Sequence, residues 1–153
     1  MHGLFMKSDS IEQLLTGKKT WELRGVPTKI RGRIALIKGG AKSVFATAKI
    51  TDCIGPLTLE LMHVNAEKCQ IPLELLTQLP YPSYALVFSE VKAFAEPIPV
   101  LNVRGGTWVK LTPENVPGRF GELEGVDLPP EQPKVEVTVC TGVVGAAEAK
   151  VSV

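Results

Sequence analysis

Apolar residues change their spacing several times along this chain, and each change predicts an element. Gly3-Leu4-Phe5-Met6 is a short apolar run that reads as a buried first strand. Ser8, Asp9 and Ser10 then offer N-cap oxygens, Ile11, Leu14 and Leu15 recur at i, i+3, i+4, and Gly17 closes the pattern. A one-face helix of about two turns follows from that spacing. From Thr20 to Arg24 the period falls to two. Trp21 and Leu23 share one strand face, while Thr20, Glu22 and Arg24 share the other. A turn containing Pro27 leads to strands over 33–38 and 44–54, joined by Gly39-Gly40.

Further on, Thr58 caps a helix predicted over 58–67, and Pro72 suits the first turn of a short helix over 72–79. A strong strand is predicted over 84–91. Pro97 and Pro99 suggest a sheet edge or an extended connector. A last strand over 106–111 carries Trp108. Pro113, Pro117, Pro129, Pro130 and Pro133 then break the chain, with acidic residues between them. Val135, Val137 and Val139 alternate within one more predicted strand over 134–144. The chain therefore divides into a domain over 1–111 and a Pro-rich acidic extension over 112–153. The extension has too few elements to fold alone. It packs on the domain, pairs with a second copy as a homodimer, or stays mobile. About six strands with two or three short helices, and no regular βαβ alternation, predict an α+β fold. A small, partly closed mixed barrel is the natural way to bury such strands.

Composition narrows the function classes. The hydrophobic fraction of 44% and charged fraction of 22% are ordinary for a soluble globular protein. The longest apolar runs, such as Ile34-Ala35-Leu36-Ile37, fall far short of the ~20 residues that cross a membrane. The first residues form no basic-then-apolar leader. Cys53, Cys69 and Cys140 are odd in number and widely spaced, which fits reduced thiols in a cytoplasmic protein. Cys53, His63 and Cys69 give no standard metal spacing, so no metal is expected. There is no P-loop and no dinucleotide fingerprint, so no cofactor is expected either. The net charge of +1 hides an asymmetry: residues 1–112 hold 14 Lys and Arg against 9 Asp and Glu, and residues 113–153 hold 3 against 7. Between Lys18 and Lys49 the only acidic residue is Glu22. Clustered cations of this kind attract phosphates. The opposite charges also suggest that the acidic extension folds over the basic face.

"GKKTWELR" at 17–24 resembles the signature of the ASCH domain family, a branch of the PUA-like superfamily. Gly17, Lys19, Glu22 and Arg24 fill its glycine, lysine, glutamate and arginine places. The strand "RGRIALIKGG" behind it, then "VFATAKITDCIG", "YALVF" and "GTWVKL", are similar to the later strands of bacterial ASCH proteins. The resemblance covers about residues 1–111. It implies a PUA-like β-barrel with helices at its openings, a cleft lined by the signature, and RNA or a nucleoside as ligand. Some members are hydrolases, among them N4-acetylcytidine amidohydrolases, and ribonuclease activity is associated with another branch.

The residues themselves bear on these options. A lysine after a helix end is favoured electrostatically, which accounts for Lys18 or Lys19 in structural terms. It does not account for Glu22 and Arg24 on one strand face. Lining a cleft, Arg24 would take a phosphate or carbonyl, because its fork binds two oxygens at once. Glu22 would take an exocyclic amine, with Lys18, Lys19 and Thr20 beside it. In the amidohydrolases a threonine two residues after a Lys-Thr pair is taken as the nucleophile. Here the pair is Lys19-Thr20 and the nucleophile's place holds Glu22. Glu22 cannot replace a hydroxyl in forming an acyl ester. The catalytic set of an enzyme would therefore be Lys19, Glu22 as base towards water, and Thr20 as hydroxyl. A ribonuclease would need Lys19, Arg24 and Tyr84 to converge. Alternation turns Trp21 into the core, while Trp108 is either core or a stacking platform for a base. The expected function is binding of RNA or a modified nucleoside in a basic cleft, with a small hydrolase as the alternative.

Overall fold

Alternating apolar side chains build the sheet that carries the site. The computed structural model describes residues 1–79, 82–104 and 106–124. The strand β1 (His2–Met6) leads into the helix α1 (Ser8–Leu15), then β2 (Trp21–Arg24), β3 (Gly32–Lys38) and β4 (Ser43–Leu57). Two short helices, α2 (Leu59–Val64) and α3 (Ala66–Cys69), and a 3-10 turn (Leu73–Gln78) come next. Then follow β5 (Ser83–Pro99), β6 (Trp108–Lys110) and α4 (Phe120–Glu124).

Some expected elements shift for identifiable reasons. Thr58 does cap α2, its hydroxyl accepting from the Leu61 N–H at 3.1 Å. The single helix expected over 58–67 breaks at Asn65, whose φ of −107° is not helical. Ser8, Asp9 and Ser10 do not cap α1. Lys7 takes the N-cap position without a side-chain bond, and the three residues form the first turn. Pro97 and Pro99 lie inside β5 rather than after it. The strand tolerates them because β2 pairs only with Tyr84 to Val87, so the distal half of β5 has β4 as its ladder partner and an open second edge.

The six strands form one mixed sheet in the order β2-β5-β4-β3-β1-β6, antiparallel except for β1 beside β3. The barrel is not closed. Its end strands, β2 and β6, have only four and three residues and do not pair. Register shifts between β4 and β5 mark bulges, which bend a sheet locally. Residues of β1 and β2 nevertheless meet through a side chain, described below.

Three apolar clusters hold the sheet. Ile11 and Leu14 of α1 pack on one face against Leu4, Met6, Ile34, Leu36, Leu86 and Phe88. The other face buries Ile37, Val44, Ile98 and Leu111 together with Val116 and Leu123. Residues 112–124 are thus packed on the sheet, and Arg119 fixes them. It grips the Glu122 carboxylate with two bonds of 2.9 Å and reaches the carbonyls of Pro97 and Glu96. The third cluster sets Trp21 of β2 and Ala85 of β5 under Met62, Cys69 and Leu76. The strand expected over 134–144 lies outside the described residues, as does any homodimer contact through it. Among the described residues no helix is long and apolar enough to cross a membrane.

Candidate nucleoside site on the second strand

Alternation in β2 divides its side chains between two environments. Trp21, 1% exposed, faces the third cluster, where the Lys68 ammonium stands 5.2 Å from its ring centroid. It is a core residue, as alternation predicts. Glu22 and Arg24 take the opposite face. Tyr84 is the cross-strand partner of Arg24 and shares that face. Its ring packs on Gly55. A Cβ at Gly55 would lie 2.6 Å from Tyr84 Cδ2, so the close approach requires glycine.

Lys19, Glu22 and Arg24 form one ion-pair network. Lys19 Nζ lies 2.8 Å from Glu22 Oε1, and Arg24 Nη2 lies 3.1 Å from Glu22 Oε2. Lys19 also donates to Ser10 Oγ at 3.3 Å, while its backbone N–H is tied to the Gln13 carbonyl. Exposure rises along the row, from 6% at Lys19 to 12% at Glu22 and 21% at Arg24. The network is therefore deepest at Lys19 and opens towards Arg24. Two cations share one carboxylate, which leaves a surplus positive charge at the open end. Removing one member of such a buried set costs about 3–5 kcal/mol, because an uncompensated charge stays behind.

Arg24 has a second duty. Its Nη2 donates to the Phe5 carbonyl of β1 at 3.0 Å. The Phe5 N–H bonds to Thr107 O, and β6 begins only at Trp108. The Phe5 carbonyl thus points past the start of β6, and Arg24 supplies its donor. Two polar atoms of the network are buried without a hydrogen bond: Arg24 Nε and Glu22 Oε1. The contact between Oε1 and Lys19 is close enough for an ion pair, but its angles are not those of a hydrogen bond.

The other candidates are distributed around this centre. Trp108 pairs with Leu4 and packs on the α1 side of the sheet, the side that buries Leu86, the partner of Glu22. Its ring meets His2 edge-on, with centroids 6.2 Å apart. Burial, then Lys110 and the N-terminal ammonium, push the His2 imidazole below its ordinary pKa. Lys18 and Thr20 are exposed and go elsewhere. With Gly17, Glu67, Lys68 and Gln70 they line an open depression of about 530 Å³. Cys69 lies near Lys19 and Glu22 but is no nucleophile. Burial pushes its thiol up to about 11, against the pull of Lys19 and with the push of Glu22. Among the described residues no group of three or more His, Cys, Asp or Glu could hold a metal ion.

Part of the basic run is compensated locally. Arg33 and Lys49 share Glu90 at 3.1 and 3.7 Å, and Arg31 stands 3.9 Å from Asp52. Sequence reasoning missed Ser10, which it assigned to a cap. The available signal was its position four residues before Leu14, which places a hydroxyl above a buried leucine on one helix face.

Comparison with known proteins bears on the family and the fold. The ASCH domain family model matches residues 4–108. Among solved structures, the ASCH protein of Zymomonas mobilis is similar, with a TM-score of 0.63 at 14% identity, covering 74% of this chain and 89% of that one. A serine-to-alanine variant of it gives 0.62 at 16% identity, with coverage of 74% and 89%. A tyrosine-to-phenylalanine variant gives 0.63 at 16%, covering 82% and 96%. At this identity the likeness concerns the fold. No curated protein matches the chain.

Proposed function

This chain belongs to the ASCH domain family, and on that premise we propose that it binds RNA or a modified nucleoside around Lys19, Glu22 and Arg24. The observation that carries this reading is the surplus cation at the open end of the network. Arg24 commits Nη2 to Glu22 and to the Phe5 carbonyl, and among the described residues no hydrogen bond engages Nη1. A planar fork fixed on one side and open on the other suits a phosphate or a base carbonyl. Glu22 sets the fork's orientation. Tyr84, on the same face, supplies an aromatic edge beside it, and Trp108 a second aromatic further along the α1 side. The exposed Lys18 and Lys29 add long-range attraction. The ligand-binding unit in this proposal is the domain over 1–111.

Calorimetric titration of the full chain with cytidine 5′-monophosphate, N4-acetylcytidine and a short mixed-sequence RNA tests the proposal. Wild type is expected to bind at least one of them, and Arg24→Lys at least tenfold more weakly. Equal binding by the two proteins, or none by either, would sink it.

A further inference from the structure

We propose that Arg33, Lys49 and Thr47 form a binding site for a phosphate monoester, with the Glu90 carboxylate as its displaceable latch. The site lies across the sheet from Glu22. Arg33 pairs with Lys49, and Ala35, the next residue on the same face of β3, pairs with Thr47. Ala35 belongs to the cluster of Ile37 and Val44, whereas Leu86, the partner of Glu22, belongs to the cluster under α1. Cross-strand partners share a face, so Arg33, Lys49 and Thr47 stand on the side away from Glu22. Arg33 Nη2 lies 3.1 Å and Lys49 Nζ 3.7 Å from the Glu90 carboxylate. Arg33 Nη1 donates to the Glu90 carbonyl at 2.6 Å and to Thr47 Oγ1 at 3.4 Å. Two cations thus converge on one anionic group, above a buried hydroxyl that accepts from the guanidinium. Among the described residues the Thr47 O–H itself meets no acceptor, so its proton is available to a ligand oxygen.

The backbone at Glu90 supports this reading. Glu90 and Val91 oppose Ala48 alone across a register shift between β4 and β5, which is a bulge. The φ of Glu90 is +49°, a left-handed value that glycine adopts freely and glutamate rarely does. What glutamate adds there over glycine is a carboxylate between Arg33 and Lys49. That carboxylate is exposed, and an exposed ion pair is weak enough to exchange. A phosphate monoester carries close to two negative charges and three acceptor oxygens, so it engages the Arg33 fork and Lys49 together. A phosphodiester carries one charge, as Glu90 does, and the tethered carboxylate holds the site against it. When the monoester enters, its oxygens take Arg33 Nη2 and Lys49 Nζ, and Thr47 donates to it. The bond from Arg33 Nη1 to the Glu90 carbonyl stays and keeps the guanidinium in place. This inference does not rest on the nucleoside proposal, because it uses none of Lys19, Glu22 and Arg24.

The experiment is an NMR titration of the full chain with inorganic phosphate, at a pH where it is mostly a dianion. A short RNA with a 5′-phosphate and the same RNA with a 5′-hydroxyl are titrated alongside. Phosphate should shift the resonances of Arg33, Thr47, Lys49 and Glu90. Glu90→Gln should bind it about three- to fivefold more tightly, because the competing exposed ion pairs are gone. Arg33→Gln should bind about tenfold more weakly, and Lys49→Gln, an exposed change that spares the bulge, should also weaken binding. No shifts at these residues, or a Glu90→Gln variant that binds no tighter than wild type, overturns the inference. Preference for the 5′-phosphorylated RNA at these residues would assign the monoester to an RNA end. Equal binding of the two RNAs, with the phosphate shifts intact, would assign it to a small phosphate ester, and the site stands in both cases. The two proposals fail separately. Arg24→Lys should weaken nucleoside binding and leave the phosphate shifts at Arg33 unchanged. Loss of both in that variant would show a single site and overturn this one.

Discussion

Arg24 Nη2 reaches the Phe5 carbonyl at 3.0 Å while it holds Glu22 Oε2 at 3.1 Å. One guanidinium therefore joins the candidate site to the open side of the sheet. The strands it links, β2 and β1, are not ladder neighbours. A lysine has a single ammonium and cannot keep the fork's geometry at both acceptors. Arg24→Lys should therefore lower stability by about 1.5–3 kcal/mol, the worth of a hydrogen bond to a charged group. Urea unfolding checks this. An unchanged midpoint would mean that the seam is held by packing alone.

The Lys19–Glu22 pair makes a separate prediction. Glu22→Gln leaves two cations facing a neutral amide, and Lys19→Met leaves the carboxylate with Arg24 alone. The first should cost about 3–5 kcal/mol and the second less, because Arg24 still compensates Glu22. In a double-mutant cycle the two changes should couple by about 1–3 kcal/mol, since the groups are in contact. Additive effects would show that the 2.8 Å pair carries no energy of its own.

How far these features were legible in the sequence differs by feature. The two faces of β2 were readable because alternation is a local property. Trp21 and Leu23 could not share a side with Glu22 and Arg24 whatever the fold. The bond from Arg24 to Phe5 was not readable, because it depends on how a bent six-stranded sheet brings β2 towards β1. Ser10 was misassigned for a physical reason. Ser8, Asp9 and Ser10 all suit an N-cap, and nothing local shows that the cap falls before them, at Lys7. Pro97 and Pro99 suggested an edge or connector, and what permits them inside β5 is the shortness of β2, a long-range fact. The family signature at Gly17, Lys19, Glu22 and Arg24 was legible, but its geometry was not.

Cys69 predicts a pH dependence. Its thiol is pushed up to about 11 in the folded chain, from an ordinary value of 9.0. The folded state therefore holds this proton more tightly than the unfolded state. The resulting stabilisation is complete below pH 9.0 and is lost as pH rises through about 11. A shift of this size corresponds to about 2–3 kcal/mol. Stability measured by urea unfolding should fall across that window in wild type and fall less in Cys69→Ala. Parallel pH profiles would remove Cys69 as the cause. At pH 8 a thiol reagent should modify the partly exposed Cys53 well before Cys69.

The basic surface and the network should leave different marks on RNA binding. Lys29 is exposed and makes no ion pair among the described residues. Its contribution to a polyanion would be release of condensed counterions, which carries no sequence information. Lys29→Gln should weaken all RNAs alike and lower the slope of log K against log salt by about one. Arg33 is already paired with Glu90, so Arg33→Gln should change the slope less. Glu22 carries the opposite sign and sits inside the network. Glu22→Gln should alter preference among nucleosides, because it changes the hydrogen-bonding group offered to an exocyclic amine. Fluorescence anisotropy at three salt concentrations, with cytidine-rich and uridine-rich oligomers, separates the two effects. If Glu22→Gln instead shifts every affinity equally and changes the salt slope, the carboxylate acts only as a countercharge and base recognition lies elsewhere on the surface.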